Sequence, residues 1–244
     1  MPNEFVIFCT ARTGSYSLVS RLNSVADIVC HGEIFKRKVI EVEPERKKQL
    51  RFTTLEERNA EPIEFIRDLR RMDPDKIFGF KFFGQHQNWA NIGPYLRAPE
   101  TKRVILYRDP VAVYGSLLRA KSSGQWVLKE AKAKANGGAT VKAHFTPESY
   151  ESFISGYASF AKKCVNLSKL PNTFVIDYRQ INDDSAIDEL LQFLGSSARF
   201  SDTATELTKQ NPGSDEDGFD NWDEFEVYLK TSPHQVNGPH PTCG

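Results

Sequence analysis

Short apolar runs along the chain alternate with longer stretches in which apolar positions recur every three or four residues. Residues 5–9, Phe-Val-Ile-Phe-Cys, are β-branched and aromatic and predict a buried strand. Residues 27–30, 77–83, 102–107 and 173–178 read as further strands. Leu18, Val19 and Leu22 open the first helical pattern. Ile63, Ile66 and Leu69 carry the next, after Pro62 at a first-turn position. Residues 91–95 suggest a short connection or helix. A helix is expected from Val111 to Arg119, continuing with interruption to Ala135, before Asn136-Gly137-Gly138 breaks it. Residues 147–167 form a long amphipathic pattern, and 186–194 a helix stopped by Gly195. Residues 222–229 predict a last short helix.

Strand and helix alternate throughout, which predicts a parallel sheet with helices on both faces. In such sheets ligands bind at the carboxyl ends of the strands. Those ends carry Arg12, His31 with Glu33, the stretch from Lys81 to His86, Arg108 and Tyr178, which are expected to converge on one rim. At 244 residues the chain is expected to hold a single domain over 1–230, with a loose tail over 231–244 containing three prolines.

Composition narrows the partners. The 32 basic and 32 acidic residues give zero formal net charge, which argues against bulk attraction to nucleic acid or a membrane surface and leaves room for a local basic patch. The charged segment 36–51 reads as a solvated face, or as a mobile basic flap beside an anionic ligand. Asp215-Glu216-Asp217 reads as a solvated acidic loop, and no carboxylate cluster suggests a metal site. Cys9, Cys30, Cys164 and Cys243 form no CxxC pair. Cys9 and Cys30 lie in apolar runs and read as small buried hydrophobes. No apolar stretch is long enough for a membrane span, and Met1-Pro2-Asn3-Glu4 lacks a basic leader region, so a cytoplasmic protein is expected.

The loop after the first strand holds candidate chemistry. Arg12-Thr13-Gly14-Ser15-Tyr16-Ser17 joins a strand to a helix start. Backbone N–H groups and the helix dipole favour an anion there. Arg12 offers a cation, and Ser15 and Ser17 offer hydroxyls. The Gly-Lys-Ser/Thr ending of a standard P-loop is missing. An ordinary turn with a solvated Arg12 remains the alternative at this point.

A second motif follows the 102–107 strand. Arg108-Asp109-Pro110 closes it, and Ser116 lies a little over two helical turns further on. Arg and Ser donors together suit a second phosphate. In this order the two motifs resemble those of the sulfotransferases that use 3′-phosphoadenosine 5′-phosphosulfate (PAPS). Arg12-Thr13-Gly14-Ser15 is similar to that family's 5′-phosphosulfate loop, and Arg108, Asp109, Pro110 and Ser116 to its 3′-phosphate motif. Tyr178 is similar to a tyrosine that ends a later strand, although Arg179-Gln180 replaces the acidic residue that follows it in the family. Asn221-Trp222 resembles a short C-terminal element of bacterial members.

His31-Gly32-Glu33 resembles an element of the bacterial carbohydrate sulfotransferases of the trehalose and nodulation-factor type. The resemblance implies a P-loop-NTPase-like fold. It implies PAPS as sulfuryl donor, 3′-phosphoadenosine 5′-phosphate (PAP) as product and no metal. It also implies in-line transfer to a hydroxyl of a carbohydrate or similar small molecule. Glu33 would be the general base, with His31 and His86 as alternatives and Arg12 stabilising developing charge. Tyr16 would touch the acceptor or merely pack, and Lys81 would be an extra cation or a snorkelling lysine. Trp89 and Trp126 would stack on the ligand or pack inside. Two other functions stay open: a nucleotide-dependent kinase on a related fold, and a non-catalytic module that binds PAP or another nucleotide. Segments 36–60 and 122–146 are the least regular and are expected to frame the acceptor.

Overall fold

A computed structural model describes residues 4–83, 89–124, 141–200 and 218–232. The described residues fall into two compact units. The first lies within 1–107 and 164–205, the second within 108–163 and 206–238.

The first unit is built on a parallel sheet. Its strands are β1 (Glu4–Cys9), β2 (Ile28–His31), β3 (Ile77–Phe83), β4 (Lys102–Tyr107) and β5 (Thr173–Asp177). They lie in the order β2-β3-β1-β4-β5, every pair parallel. With helices on both faces this is an α/β fold of the P-loop-like class. The chain leaves β1 toward the β2 edge and later leaves β4 toward the β5 edge. The direction of winding therefore reverses beside β1, where sheets of this kind open a ligand crevice.

Side-chain alternation assigns the faces. Phe5, Ile7 and Cys9 of β1, with Val104, Leu106 and Ile176, face one layer. That layer holds Leu18 and Leu22 of α1 (Ser15–Asn23), and Ile187, Leu190, Leu191 and Leu194 of the Asp184–Leu194 helix. The opposite face is aromatic. Phe82 meets Phe8 edge-on at 6.1 Å, Phe35 meets Phe80 at 5.8 Å, and Tyr95 stacks on Phe80 at 6.4 Å. Phe65 of the Pro62–Arg70 helix joins through Phe35. Burial on both sides is why residues 5–9 of β1 read as an unbroken apolar run and β3 as one interrupted only by Lys81.

Between β2 and β3 the chain forms α2 (Pro44–Lys47), α3 (Leu55–Ala60) and α4 (Pro62–Arg70). The short helix α3 carries a reciprocal capping box between Thr54 and Glu57, a spacing legible in the sequence but absent from its predicted elements. Arg46 pairs with Asp73, and Arg51 donates through its backbone N–H and Nε to Asp68. The charged segment is thereby tied to α4 and the turn after it. After β3 come α5 (Trp89–Arg97) and β4.

In the second unit α6 runs from Pro110 to Ser123 and stops at left-handed Gly124, beyond the Arg119 boundary the sequence suggested. Its proposed extension to Ala135 lies outside the described residues. The helix α7 (Pro147–Ser168) belongs to this unit as far as Lys163. Tyr114, Tyr150, Phe145, Phe219 and Phe225 pack together, with α9 (Trp222–Thr231) supplying Phe225. Residues 143–145 and 218–221 pair through backbone bonds and the Asn221 side-chain amide. The helix α8 (Asp184–Leu194) completes the first unit. Within the expected tail, residues 233–244 lie outside the described set.

Gly79 lies in β3 directly opposite Phe5. A Cβ there would sit 2.2 Å from the Phe5 ring. Gly79→Ala is therefore expected to destabilise the fold by about 1–3 kcal/mol, the usual cost of overpacking a tight core. Urea denaturation measures this, and an unchanged midpoint would contradict this packing.

Candidate functional site

The residues that follow β1, β2, β3 and β5 gather at the carboxyl edge of the sheet. Between Cys9 and Ser15 the chain must turn from a fully buried strand into a helix. Arg12 does so at φ 70° and Gly14 at φ 84°. The second is easy for glycine, whereas the first is unusual for a side chain with a Cβ and marks a backbone held in place by its surroundings. Gly14 is required for a further reason. A Cβ there would lie 2.7 Å from both the Tyr178 ring and Ile181 Cδ1. Tyr178 thus presses on the loop, and no side chain fits beneath it.

Gly14 is the N-cap of α1 and brings no side-chain cap. The first helical bond runs from Leu18 N–H to Gly14 O. The N–H groups of Ser15, Tyr16 and Ser17 therefore have no partner within the helix. Thr13 is buried and donates its hydroxyl to Thr10 O at 2.8 Å, bracing the loop from inside. Ser15 is buried and bonds the Cys9 thiol. Tyr16 is 53% exposed, so it does not pack into the core as one sequence reading allowed. Arg12 is half-buried and Ser17 likewise.

Lys81 sits inside β3, only 6% exposed. Alternation puts it on the α1 face, with Gly79 and Phe83. Its Nζ lies 3.9 Å from Glu33 Oε1 and 5.5 Å from the Phe83 ring centroid. A buried ammonium needs a charged or polar partner, and Glu33 provides one. Neither residue type alone signals this pair, because 48 positions separate them and only the β2–β3 register unites them. The neighbouring Cys9 thiol is pushed up to about 12 by burial, with Lys81 and the Ser15 bond opposing. Cys30 is raised further by burial, so both behave as the small hydrophobes expected.

His31 has a different setting. It is buried against the Phe78 ring at 5.4 Å, on the aromatic face of the sheet rather than the Lys81 face. Its Nε2 is buried without a hydrogen-bond partner among the described residues. Burial lowers its pKa from 6.5 to about 4, assisted by Arg46 and opposed by Asp73 and Glu43. Tyr178 begins a 3₁₀ helix (Tyr178–Asn182) instead of ending the strand. Asp177 and Gln180 cap each other there, so the Gln180 that departs from the family pattern has a local structural job.

In the second unit Asp109 caps α6, accepting from Val111 N–H at 2.9 Å and Ala112 N–H at 3.1 Å, with Pro110 in the first turn. Arg108 precedes this cap, and its carbonyl accepts from the Tyr157 hydroxyl. Ser116 is buried two turns along α6. Asn221 bonds both the N–H and the carbonyl of Phe145 and so acts in packing. Trp222 leans on Phe219 and Phe225. His86, Trp126, Asp215, Glu216, Asp217 and Cys243 lie outside the described residues, as does the Trp89 side chain. A cavity of about 420 Å³ lined by Arg51, Phe52, Glu56, Glu57, Ala60 and Glu61 lies in the first unit, at the end of the 36–60 segment expected to frame an acceptor. Among the described residues no group of three or more His, Cys, Asp or Glu is placed to hold a metal ion, and no helix is long and apolar enough to cross a membrane.

Comparison with known proteins gives likeness in structure only. No protein-family profile matches the chain, and no curated protein matches it in sequence. Among solved structures, the mouse sulfotransferase SULT7A1 complexed with PAP aligns over 93% of this chain and 81% of its own, at 11% identity and a TM-score of 0.53. A sulfotransferase from Alicyclobacillus acidocaldarius aligns over 95% of this chain and 92% of its own, at 15% identity and a TM-score of 0.49. A sugar kinase from Janibacter covers 80% of this chain and 95% of its own, at 11% identity and a TM-score of 0.40. At these identities the likeness concerns the fold, and it is the mouse enzyme's score that carries it.

The His31 setting has a pH consequence. The unfolded chain binds the proton near pH 6.5, the folded chain only near 4. Stability is full above that window and is lost as pH falls through it, by about 3 kcal/mol at completion. His31→Gln is expected to flatten this part of the profile. Urea denaturation at pH 7 and pH 4 tests it, and parallel wild-type and variant profiles would contradict it.

Proposed function

We propose that this chain is a PAPS-dependent sulfotransferase acting on a hydroxyl of a carbohydrate or similar small molecule. One observation carries the reading. The tight loop after the central strand ends in an uncapped helix N-terminus, with Arg12 and Gly14 both left-handed and Tyr178 laid over Gly14. That donor set suits a phosphate-type anion, since free N–H groups and the helix dipole both favour negative charge. The sulfotransferase motifs at 12–15 and 108–116 support the reading, as does the fold shared with the mouse enzyme.

In this proposal Arg12, Thr13, Gly14, Ser15, Tyr16 and Ser17 hold the 5′-phosphosulfate end of the donor, with Tyr178 flanking it. Arg108 and Ser116 hold the 3′-phosphate. When bound, PAPS supplies an activated sulfuryl group joined to a phosphate leaving group. Arg12 and the N–H groups of the loop stabilise negative charge on that phosphate, work in which losing one donor typically costs about 10²–10³ in rate. Lys81, already buried beside Glu33, supplies a second cation near the reacting groups. Glu33 Oε1 accepts the proton of the attacking hydroxyl, which would otherwise have to leave unaided. His31 is the second candidate for this task, and its buried neutral ring on the other sheet face makes Glu33 the better choice. No metal is invoked, and a cytoplasmic setting accords with three buried free thiols among the described residues.

Glu33→Gln tests the assignment. It keeps the size of the side chain and removes its basicity. Transfer of labelled sulfuryl from PAPS to a panel of sugar acceptors should fall about 10²–10⁴-fold. PAP affinity should change little. Undiminished transfer by the variant would remove Glu33 from the chemistry.

A further inference from the structure

Arg58 is among the most buried of the described side chains, 1% exposed, yet none of its hydrogen bonds among the described residues goes to a carboxylate. Its Nη1 donates to three backbone carbonyls: Lys36 O at 2.9 Å, Ile34 O at 3.0 Å and Val39 O at 3.3 Å. Nε and Nη2 both reach the Asn59 amide oxygen, at 3.1 and 2.8 Å. The guanidinium also lies 5.8 Å from the Phe35 ring centroid. A buried cation held by carbonyls alone is costly, and burial lowers its pKa accordingly. Such a group persists where a fixed fork of donors organises backbone that has no ladder of its own.

The backbone it organises is the turn that follows β2. The last ladder contact there is Lys81 N–H to Gly32 O, at 3.2 Å. Glu33 comes next, and Ile34 O is the first carbonyl held by Arg58. Glu33 O accepts from Lys36 N–H at 2.9 Å, and Lys36 O is the second. Glu33 is therefore bracketed by β3 on one side and by Arg58 on the other. Its side chain is 17% exposed, with Oε1 3.9 Å from Lys81 Nζ. Residues 36–39 are themselves exposed, so solvent competes for their carbonyls unless Arg58 holds them.

We propose that Arg58 is a positioning residue for Glu33: by gripping the carbonyls of residues 34, 36 and 39 it fixes the turn that aims the Glu33 carboxylate beside Lys81. The inference rests on the reading of Glu33 as the base in so far as it concerns rate, and on the geometry alone in so far as it concerns the turn.

The test compares Arg58→Gln, Arg58→Lys and a control, Phe193→Leu, which loosens packing against Phe174 at the β5 edge of the sheet. Three quantities are measured: amide hydrogen exchange over residues 33–39, PAP affinity, and kcat and KM for transfer. Arg58→Gln should speed exchange over 33–39 at least tenfold and lower kcat about tenfold, with PAP affinity within about twofold. Arg58→Lys, which keeps the charge without the planar fork, should show a smaller loss of the same kind. Phe193→Leu should lower the melting temperature without moving either readout. If Arg58→Gln does not fold, the lysine variant decides alone. Wild-type exchange over 33–39 in a folded Arg58 variant overturns the proposal, as does equal loss of kcat in the control. If the wild type transfers sulfuryl to no acceptor, the functional reading fails, while faster exchange over 33–39 in the variant still upholds the grip on the turn.

Discussion

A strand buried on both faces has to release its chain into a turn with almost no free space, and the first unit follows from that constraint. Its central strand β1 has neighbours on both sides, aromatic rings beneath it and two helices above it. The loop after Cys9 turns under Tyr178 and Ile181, where only glycine fits, and α1 begins before any side chain can cap it. The N–H groups at that helix start, which no side chain caps, are thus a product of core packing. The same burial explains Gly79 against Phe5, and the partnered lysine inside an aromatic strand.

Charge is distributed with equal economy. The segment from 36 to 51 looked in sequence like a basic flap or a solvated face. Most of it is exposed, as a solvated face would be, and it is tied down by ion pairs: Arg46 to Asp73, Arg51 to Asp68 and Lys36 to Glu41. Exposed pairs of this kind each contribute little, typically below about 1 kcal/mol. Arg46–Asp73, more enclosed, ties the segment to the end of α4. What remains near the carboxyl edge is Arg12 in the loop after β1, and Lys81 beside the carboxylate of Glu33.

The strands were legible because burial on both faces leaves continuous apolar runs, and 77–83 and 102–107 have in the structure the limits the pattern predicts. Helix ends were less legible. The helix α6 continues to Ser123 because Gly124, rather than an earlier breaker, supplies the left-handed stop. The helix α3 was missed because six residues give no apolar period, although its Thr54-Glu57 capping box was in plain view. Tyr178 leaves the strand because Asp177 and Gln180 cap each other. At the candidate site the loop at 12–15 could be read from residue types alone. The Lys81–Glu33 pair and the Arg58 grip could not, since each depends on register or on contacts between elements distant in sequence. The alternation that placed His31 and Glu33 together at a strand end could not separate them either. The strand ends at His31, which stays on the aromatic face, while Glu33 lies beyond it and turns to Lys81.

The central claim is that the loop after β1 binds the phosphate of an adenosine bisphosphate. A thermal melt of the wild type and of Arg12→Ala, with PAP, ATP with Mg²⁺, and inorganic sulfate in parallel, tests it most directly. At a hundred times its dissociation constant a ligand stabilises by about 2.7 kcal/mol, which for a chain of this length is roughly 5–10 °C. The account predicts that shift with PAP in the wild type and its loss in Arg12→Ala. No shift with PAP, together with a shift from ATP and Mg²⁺, would contradict it.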